Sequence, residues 1–134
     1  MNICVIPARG GSKRIPRKNI KNFYGKPIIA YSIEAALASS CIDQVIVSTD
    51  DQEISEVAKE YGAQVPFIRP EKLSSDYIAT NPVISHAVEW MEAHGNPIDA
   101  VCCLYATAPF VQTDTISDAY EIFKNLKADF CFSV

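Results

Sequence analysis

Ile3-Cys4-Val5-Ile6, running into Pro7-Ala8-Arg9-Gly10-Gly11-Ser12-Lys13-Arg14-Ile15-Pro16-Arg17-Lys18-Asn19, is the stretch on which the fold reading turns. Four apolar residues without polar alternation read as a strand buried on both faces. The strand breaks into a glycine pair and a basic run. Seven of the twelve Lys and Arg residues lie between Arg9 and Lys26, in a chain of formal net charge -4. Positive charge is therefore concentrated at one place. Gly10 and Gly11 let backbone N–H groups approach an anion closely, and Arg9, Lys13 and Lys18 supply cations, so the loop reads as a polyphosphate site. It is neither a G-x-x-x-x-G-K-[ST] loop nor a G-x-G-x-x-G fingerprint. A solvated basic turn and a nucleic-acid patch are the alternative readings.

Working outward, similar short runs rich in β-branched residues recur at Val45 to Val47, Val65 to Ile68, Val101 to Tyr105 and Phe130 to Val134. Between them, apolar residues at helical spacing predict helices over 26–39, 51–62, 81–93 and 114–126. Gly62 and Gly95 sit where C-caps belong, and Asp50, Thr80 or Asn81, and Thr113 sit near N-termini. Strands alternating with helices predict an α/β fold with a doubly wound, mostly parallel sheet and helices on both faces. Ligands of such sheets bind beyond the carboxyl ends of the strands, where this chain places its unusual loops.

At 134 residues and 49% hydrophobic composition, the chain is the size of one domain, taken as 1–134. No apolar run approaches the roughly 18 residues of a membrane helix, so no membrane partner is expected. Cys4, Cys41, Cys102, Cys103 and Cys131 are an odd set without zinc-ligand spacing, mostly in apolar runs. They predict free core thiols and a cytoplasmic setting. The apolar ending Phe132-Ser133-Val134 suggests the front part of a longer protein. A nucleic-acid partner is not expected, because the net charge is negative and no RNA-binding aromatic motif accompanies the basic cluster. The missing glycine fingerprint argues against a dinucleotide-dependent dehydrogenase.

The string from Ile6 to Lys13, continued by Ile15-Pro16-Arg17-Lys18-Asn19-Ile20 and Gly25-Lys26-Pro27-Ile28-Ile29-Ala30-Tyr31-Ser32-Ile33-Glu34-Ala35-Ala36, resembles the start of the acylneuraminate cytidylyltransferases, the CMP-sialic acid synthetases and their relatives. The likeness continues through Val45-Ile46-Val47-Ser48-Thr49-Asp50-Asp51, Ile54-Ser55-Glu56-Val57-Ala58, Phe67-Ile68-Arg69-Pro70-Glu71-Lys72-Leu73 and Tyr105-Ala106-Thr107-Ala108-Pro109-Phe110. Within the family, the turn after Cys102-Cys103-Leu104 resembles the branch that activates pseudaminic acid; CMP-N-acetylneuraminate synthesis is the alternative. The resemblance implies a Rossmann-like nucleotidyltransferase that moves CMP from CTP to the anomeric hydroxyl of a nonulosonic acid and releases pyrophosphate. It further implies a cytoplasmic homodimer and Mg²⁺, with paired Asp ligands expected beyond Val134 and none in this chain. On that view these residues alone amount to a catalytically incomplete CTP-binding fragment.

The residues can do this work physically. Attack on an α-phosphate is opposed by charge repulsion, so catalysis is mostly positioning and charge neutralisation. Arg9, Lys13 and Lys18 are the catalytic candidates. Ala8, Arg9, Gly10, Gly11, Ser12, Lys13 and Asn19 form the nucleotide cradle, with Arg69 and Thr80 matching family positions near the base and ribose. Tyr105 and Thr107 are the candidate sugar contacts. Plainer readings stand beside these: an ion pair of Arg69 with Glu71, an N-cap role for Thr80, and a packed Tyr105. Asp50 and Asp51 read better as helix caps than as metal ligands. His86 reads as helix surface or a satisfied core position, and His94 as a helix C-terminal partner.

Overall fold

The computed structural model describes residues 1–11, 17–75 and 77–132. Strand β1 spans Asn2–Pro7, and a short hairpin follows, made of β2 (Asn22–Phe23) and β3 (Lys26–Pro27). Helix α1 is Ile28–Leu37, β4 is Gln44–Ser48, α2 is Gln52–Glu60, α3 is Thr80–Ala93, β5 is Ala100–Cys103 and α4 is Thr113–Asn125. The main sheet is parallel with the order β4-β1-β5. Strand β1 thus lies between both neighbours, paired Ile3 to Gln44 on one side and Asn2 to Ala100 on the other.

The central position explains why β1 shows no alternation. Cys4 and Ile6 face α1 and α2, packing with Ile29, Ile33, Val45, Val47, Ile54 and Ala58. Ile3 and Val5 face the other way, onto Ile46 and the α3 residues Ala87 and Met91. All four are fully buried, and each isoleucine contributes roughly 1.5–3 kcal/mol by leaving water. Helices on both faces of a parallel sheet are what the alternating pattern predicted. Gly62 and Gly95 end α2 and α3 with positive φ, as expected of C-caps.

Two expected strands do not form. At 65–68 the only ladder contact is made one residue earlier, by Gln64, which bridges to Ile46 in parallel and exchanges bonds with Val45 and Val47. Pro66 has no N–H to continue the ladder. Residues 130–132 also form no strand, and Phe130 and Phe132 are 83% and 82% exposed. No described backbone offers that segment a neighbour. Ser133 and Val134 lie outside the described residues. Helix α1 begins two residues later than predicted because Lys26 and Pro27 belong to the hairpin. Tyr24 (φ 48°) and Gly25 (φ 93°) form its turn, both in the left-handed region that a two-residue hairpin loop demands.

The thiols are all free, but only Cys4 is buried, while Cys103 and Cys131 are exposed. The core reading therefore holds for one cysteine and fails for those two. Short strand β5 has its outer side open, which leaves Cys103 uncovered. Among the described residues no helix is long and apolar enough to cross a membrane.

One part-buried bond links the core to the loop beyond β5. The Ser32 hydroxyl on α1, with no solvent exposure, donates to the Tyr105 carbonyl at 2.7 Å. Ser32→Ala removes that bond, and urea unfolding should show a loss of about 0.5–1.5 kcal/mol. A change within a few tenths would mean the bond contributes nothing.

Candidate functional site

The sheet order 4-1-5 places a topological switch point at the carboxyl ends of β1 and β5, because the chain crosses from β1 to one side and returns on the other. An open cleft of about 230 Å³ lies there. Its walls bring together Arg9 from the loop after β1, Lys18 and Asn19 from a 3-10 turn, Arg69 from the loop after α2, and Thr80 and Val83 from α3, with Tyr105 and Thr107 beyond β5. Seven of the residues singled out by sequence therefore converge on one wall-to-wall site: Arg9, Lys18, Asn19, Arg69, Thr80, Tyr105 and Thr107.

The loop after β1 is held from beneath. Ala8 is buried and its N–H donates to the Ser48 carbonyl at 2.9 Å, so it continues the β1–β4 contact. The Gly10 N–H donates to Asp50 Oδ1 at 2.8 Å, which commits one backbone donor expected to face an anion. Gly11 is exposed, and its carbonyl accepts from Arg9 Nη1 at 2.8 Å. Asn19 is buried and donates from Nδ2 to the Arg9 carbonyl at 2.9 Å. Ser12 and Lys13 lie outside the described residues.

Arg69 is the most unusual cation of the site, at 4% exposure. Its Nη2 and Nε donate to the Ser48 carbonyl (2.6 Å) and hydroxyl (3.1 Å), and Nη1 donates to the Leu73 carbonyl at 3.4 Å. Among the described residues no carboxylate pairs with it, so the surface ion pair with Glu71 is overturned: the guanidinium points inward, away from that turn's exposed acid. Burial, foremost, pushes its pKa down; Asp50 opposes this and the charge of Arg9 adds to it. A buried cation held by neutral acceptors, close to a second cation, keeps its charge available for an anionic ligand.

Four further expectations change. Thr80 is the first residue of α3, not its cap; Ala79 takes that place without a side-chain bond, which leaves the Thr80 hydroxyl at the cleft. Tyr105 is 61% exposed and so is not a packed core ring. Asp51 caps α2, accepting from the Ile54 N–H at 3.0 Å, whereas Asp50 serves Gly10. His86 stands half-buried with its ring edge-to-face on Phe67, and its buried Nδ1 has no partner among the described residues, so it is not a satisfied core histidine. His94 caps α3 and bonds the Trp90 carbonyl, as a C-terminal partner should.

Sequence reading missed Arg17. Its guanidinium forks onto both Asp51 oxygens, at 2.5 and 2.7 Å, and reaches Glu53 at 3.2 Å. Within a run of basic residues nothing marks one as structural, and its partner lies 34 positions away. Arg17 holds the Asp51 carboxyl down to about 2.

The comparisons with known proteins can now be set beside this geometry. Residues 3–134 match the family model described as cytidylyltransferase. The chain is 52% identical over 132 residues to a pseudaminic acid cytidylyltransferase of Campylobacter jejuni subsp. jejuni serotype O:2, covering 98% of this chain and 57% of the relative. It is 44% identical to a CMP-N,N'-diacetyllegionaminic acid synthase of Legionella pneumophila, covering 91% of this chain and 53% of that protein. Among solved structures, CMP:2-keto-3-deoxy-manno-octonic acid synthetase complexed with CTP matches with a TM-score of 0.77 at 26% identity, over 95% of this chain and 48% of the other. The chain spans little more than half the length of the curated relatives it matches.

The depressed Asp51 carboxyl sets a pH expectation. Its ion pair is complete above the ordinary carboxylate range, near pH ~3.9, and is lost only as pH falls through the folded value. In an acid titration followed by NMR, the Asp51 carboxyl carbon should show a midpoint near 2. In Arg17→Gln the midpoint should rise toward the ordinary value; an unmoved midpoint would show that Arg17 is not the cause.

Proposed function

Because the chain belongs to the cytidylyltransferase family, we propose that its cleft binds CTP and serves transfer of CMP to a nonulosonic acid, pseudaminic acid foremost, with release of pyrophosphate. The observation that carries this reading is the convergence of Arg9, Lys18, Asn19, Arg69 and Thr80 at the switch point of the sheet. The sugar hydroxyl attacks the α-phosphorus and gives up its proton to solvent, a new O–P bond forms, and the bond to the pyrophosphate oxygen breaks. Negative charge moves onto the departing pyrophosphate. Arg9 and Lys18, with Lys13 from the same loop, neutralise that charge, and Asn19 fixes the loop around them. Arg69 and Thr80 meet the nucleoside end, Arg69 with the N–H groups not engaged by Ser48 and Leu73. Tyr105 and Thr107, beyond β5, offer hydroxyls to the sugar. The 52% identical relative supports pseudaminic acid as acceptor, and the legionaminic acid synthase supports the wider class of nonulosonic acids.

A divalent cation, Mg²⁺ by the family resemblance, belongs to the same proposal. The described residues do not fit it. They contain no group of three or more His, Cys, Asp or Glu side chains placed to hold a metal, and Asp50 and Asp51 are engaged with Gly10 and Arg17. The cation would need carboxylates beyond the described residues. Its carboxylate ligands, and the contacts of a homodimer, are expected in the length by which the relatives exceed the matched segment. We place the protein in the cytoplasm, where CTP is made.

CTP should raise the melting temperature of this chain by mass action, by the equivalent of about 2.7 kcal/mol at a hundredfold excess over Kd, and ATP should raise it less. Equal shifts with both nucleotides would remove the cytosine preference. Pyrophosphate release measured with CTP, Mg²⁺ and a panel of nonulosonic acids, on this chain and on a protein extended to the relatives' length, tests the reaction, with turnover expected of the extended protein and fastest with pseudaminic acid. CTP binding without turnover on any acid in the extended protein would overturn the transferase reading and leave a nucleotide-binding module.

A further inference from the structure

The basic loop is moored on one acidic dipeptide. On its near side, the Gly10 N–H bonds Asp50; on its far side, the Arg17 fork closes on Asp51. Asp51 is itself fixed from three directions. It caps α2 through the Ile54 N–H, its own N–H bonds the Thr49 hydroxyl at 3.1 Å, and the Gly10 backbone lies so close that a Cβ there would meet Asp51 Oδ2 at 2.6 Å. The post to which Arg17 is tied is therefore rigid, and it stands at the carboxyl end of β4.

Arg17 pays for this contact in backbone conformation. Its φ of 56° and ψ of 34° lie in the left-handed region that residues with a side chain avoid. Such a conformation persists only where surrounding contacts over-determine it, and it marks functional constraint more often than chance. Here the fork on Asp51 and the bond from the Ile20 N–H to the Arg17 carbonyl supply those contacts. The very next residues, Lys18 and Asn19, line the cleft, and Asn19 carries the constraint across to the Arg9 carbonyl. Arg17 itself is not among the lining residues.

We propose that Arg17 is a positioning residue for nucleotide binding: locked on Asp51, it holds the turn that presents Lys18, Asn19 and through Asn19 the Arg9 backbone to the cleft. The inference rests on the reading of the cleft as a CTP site. It makes affinity for CTP depend on a pair of side chains that do not touch the nucleotide. The bidentate geometry matters, because a guanidinium fork fixes direction where a single ammonium fixes only distance.

The test compares Arg17→Gln, Asp51→Asn and the double variant with the unaltered chain. Asn at position 51 can still cap α2, so the fold is kept. Each single change should weaken CTP binding in calorimetry about tenfold, the factor that corresponds to about 1.4 kcal/mol of lost pre-organisation. The double variant should lose no more than the worse single, and Arg17→Lys should recover only part. Backbone amide resonances of Lys18 and Asn19 should move in Arg17→Gln, with those of β1 and α3 unchanged. Unaltered CTP affinity in Arg17→Gln, additive losses in the double variant, or unmoved Lys18 and Asn19 resonances would each overturn the proposal. Should the unaltered chain bind no CTP, the nucleotide reading falls, and the resonances alone then decide whether the clamp holds the turn.

Discussion

Everything in this molecule depends on the burial of β1 on both of its faces. Ile3, Cys4, Val5 and Ile6 have no solvent exposure, so each face must be covered by a separate helix layer and each edge by a neighbouring strand. Parallel neighbours can be joined only by crossovers long enough to hold a helix. Sending one crossover to each side of β1 yields the 4-1-5 order and with it the crevice at the carboxyl end. The loop that leaves β1 then has no choice of place. It emerges at the centre of that crevice, between the loops that follow its two neighbours.

That logic explains which parts could be read from the sequence. β1, β4 and the four helices announce themselves because their patterns are imposed by burial, and burial acts on consecutive residues. The candidate site residues of the β1 loop stand out in the sequence for a related reason: glycine and cations after a buried strand have few other uses. What escaped reading depends on distance along the chain. The strand expected at 65–68 shrinks to one bridge at Gln64, since an edge strand is decided by its neighbour and Pro66 cannot donate. The hairpin at 22–27 rests on a tyrosine with positive φ, which propensity disfavours. Arg17 and Asp51 are individually ordinary, and only the fold brings them together.

The electrostatics of the cleft follow from how its cations are held. A cation retained by a carboxylate has spent much of its field before a ligand arrives. Arg69 is retained instead by a hydroxyl and two carbonyls, partial charges that orient the guanidinium without cancelling it. Its burial is costly; the charge of Asp50 offsets part of that cost, and the nearby charge of Arg9 adds a smaller amount to it. Such a guanidinium keeps its remaining N–H groups directed at whatever electron-rich oxygen enters the cleft.

The acidic dipeptide beneath the loop poses the opposite problem, because carboxylates close to the proposed polyphosphate site should repel such a ligand. The geometry limits that repulsion. Asp51 is neutralised by the bidentate Arg17 and faces the N-terminus of α2, where its remaining lone pairs meet the helix N–H groups. Asp50 turns one oxygen onto the Gly10 N–H. Anchoring a cationic loop to an anionic post would ordinarily consume the charge the loop exists to present. Among the described residues Arg17 is the cation given up to the anchor, and Lys18, its immediate neighbour, faces the cleft.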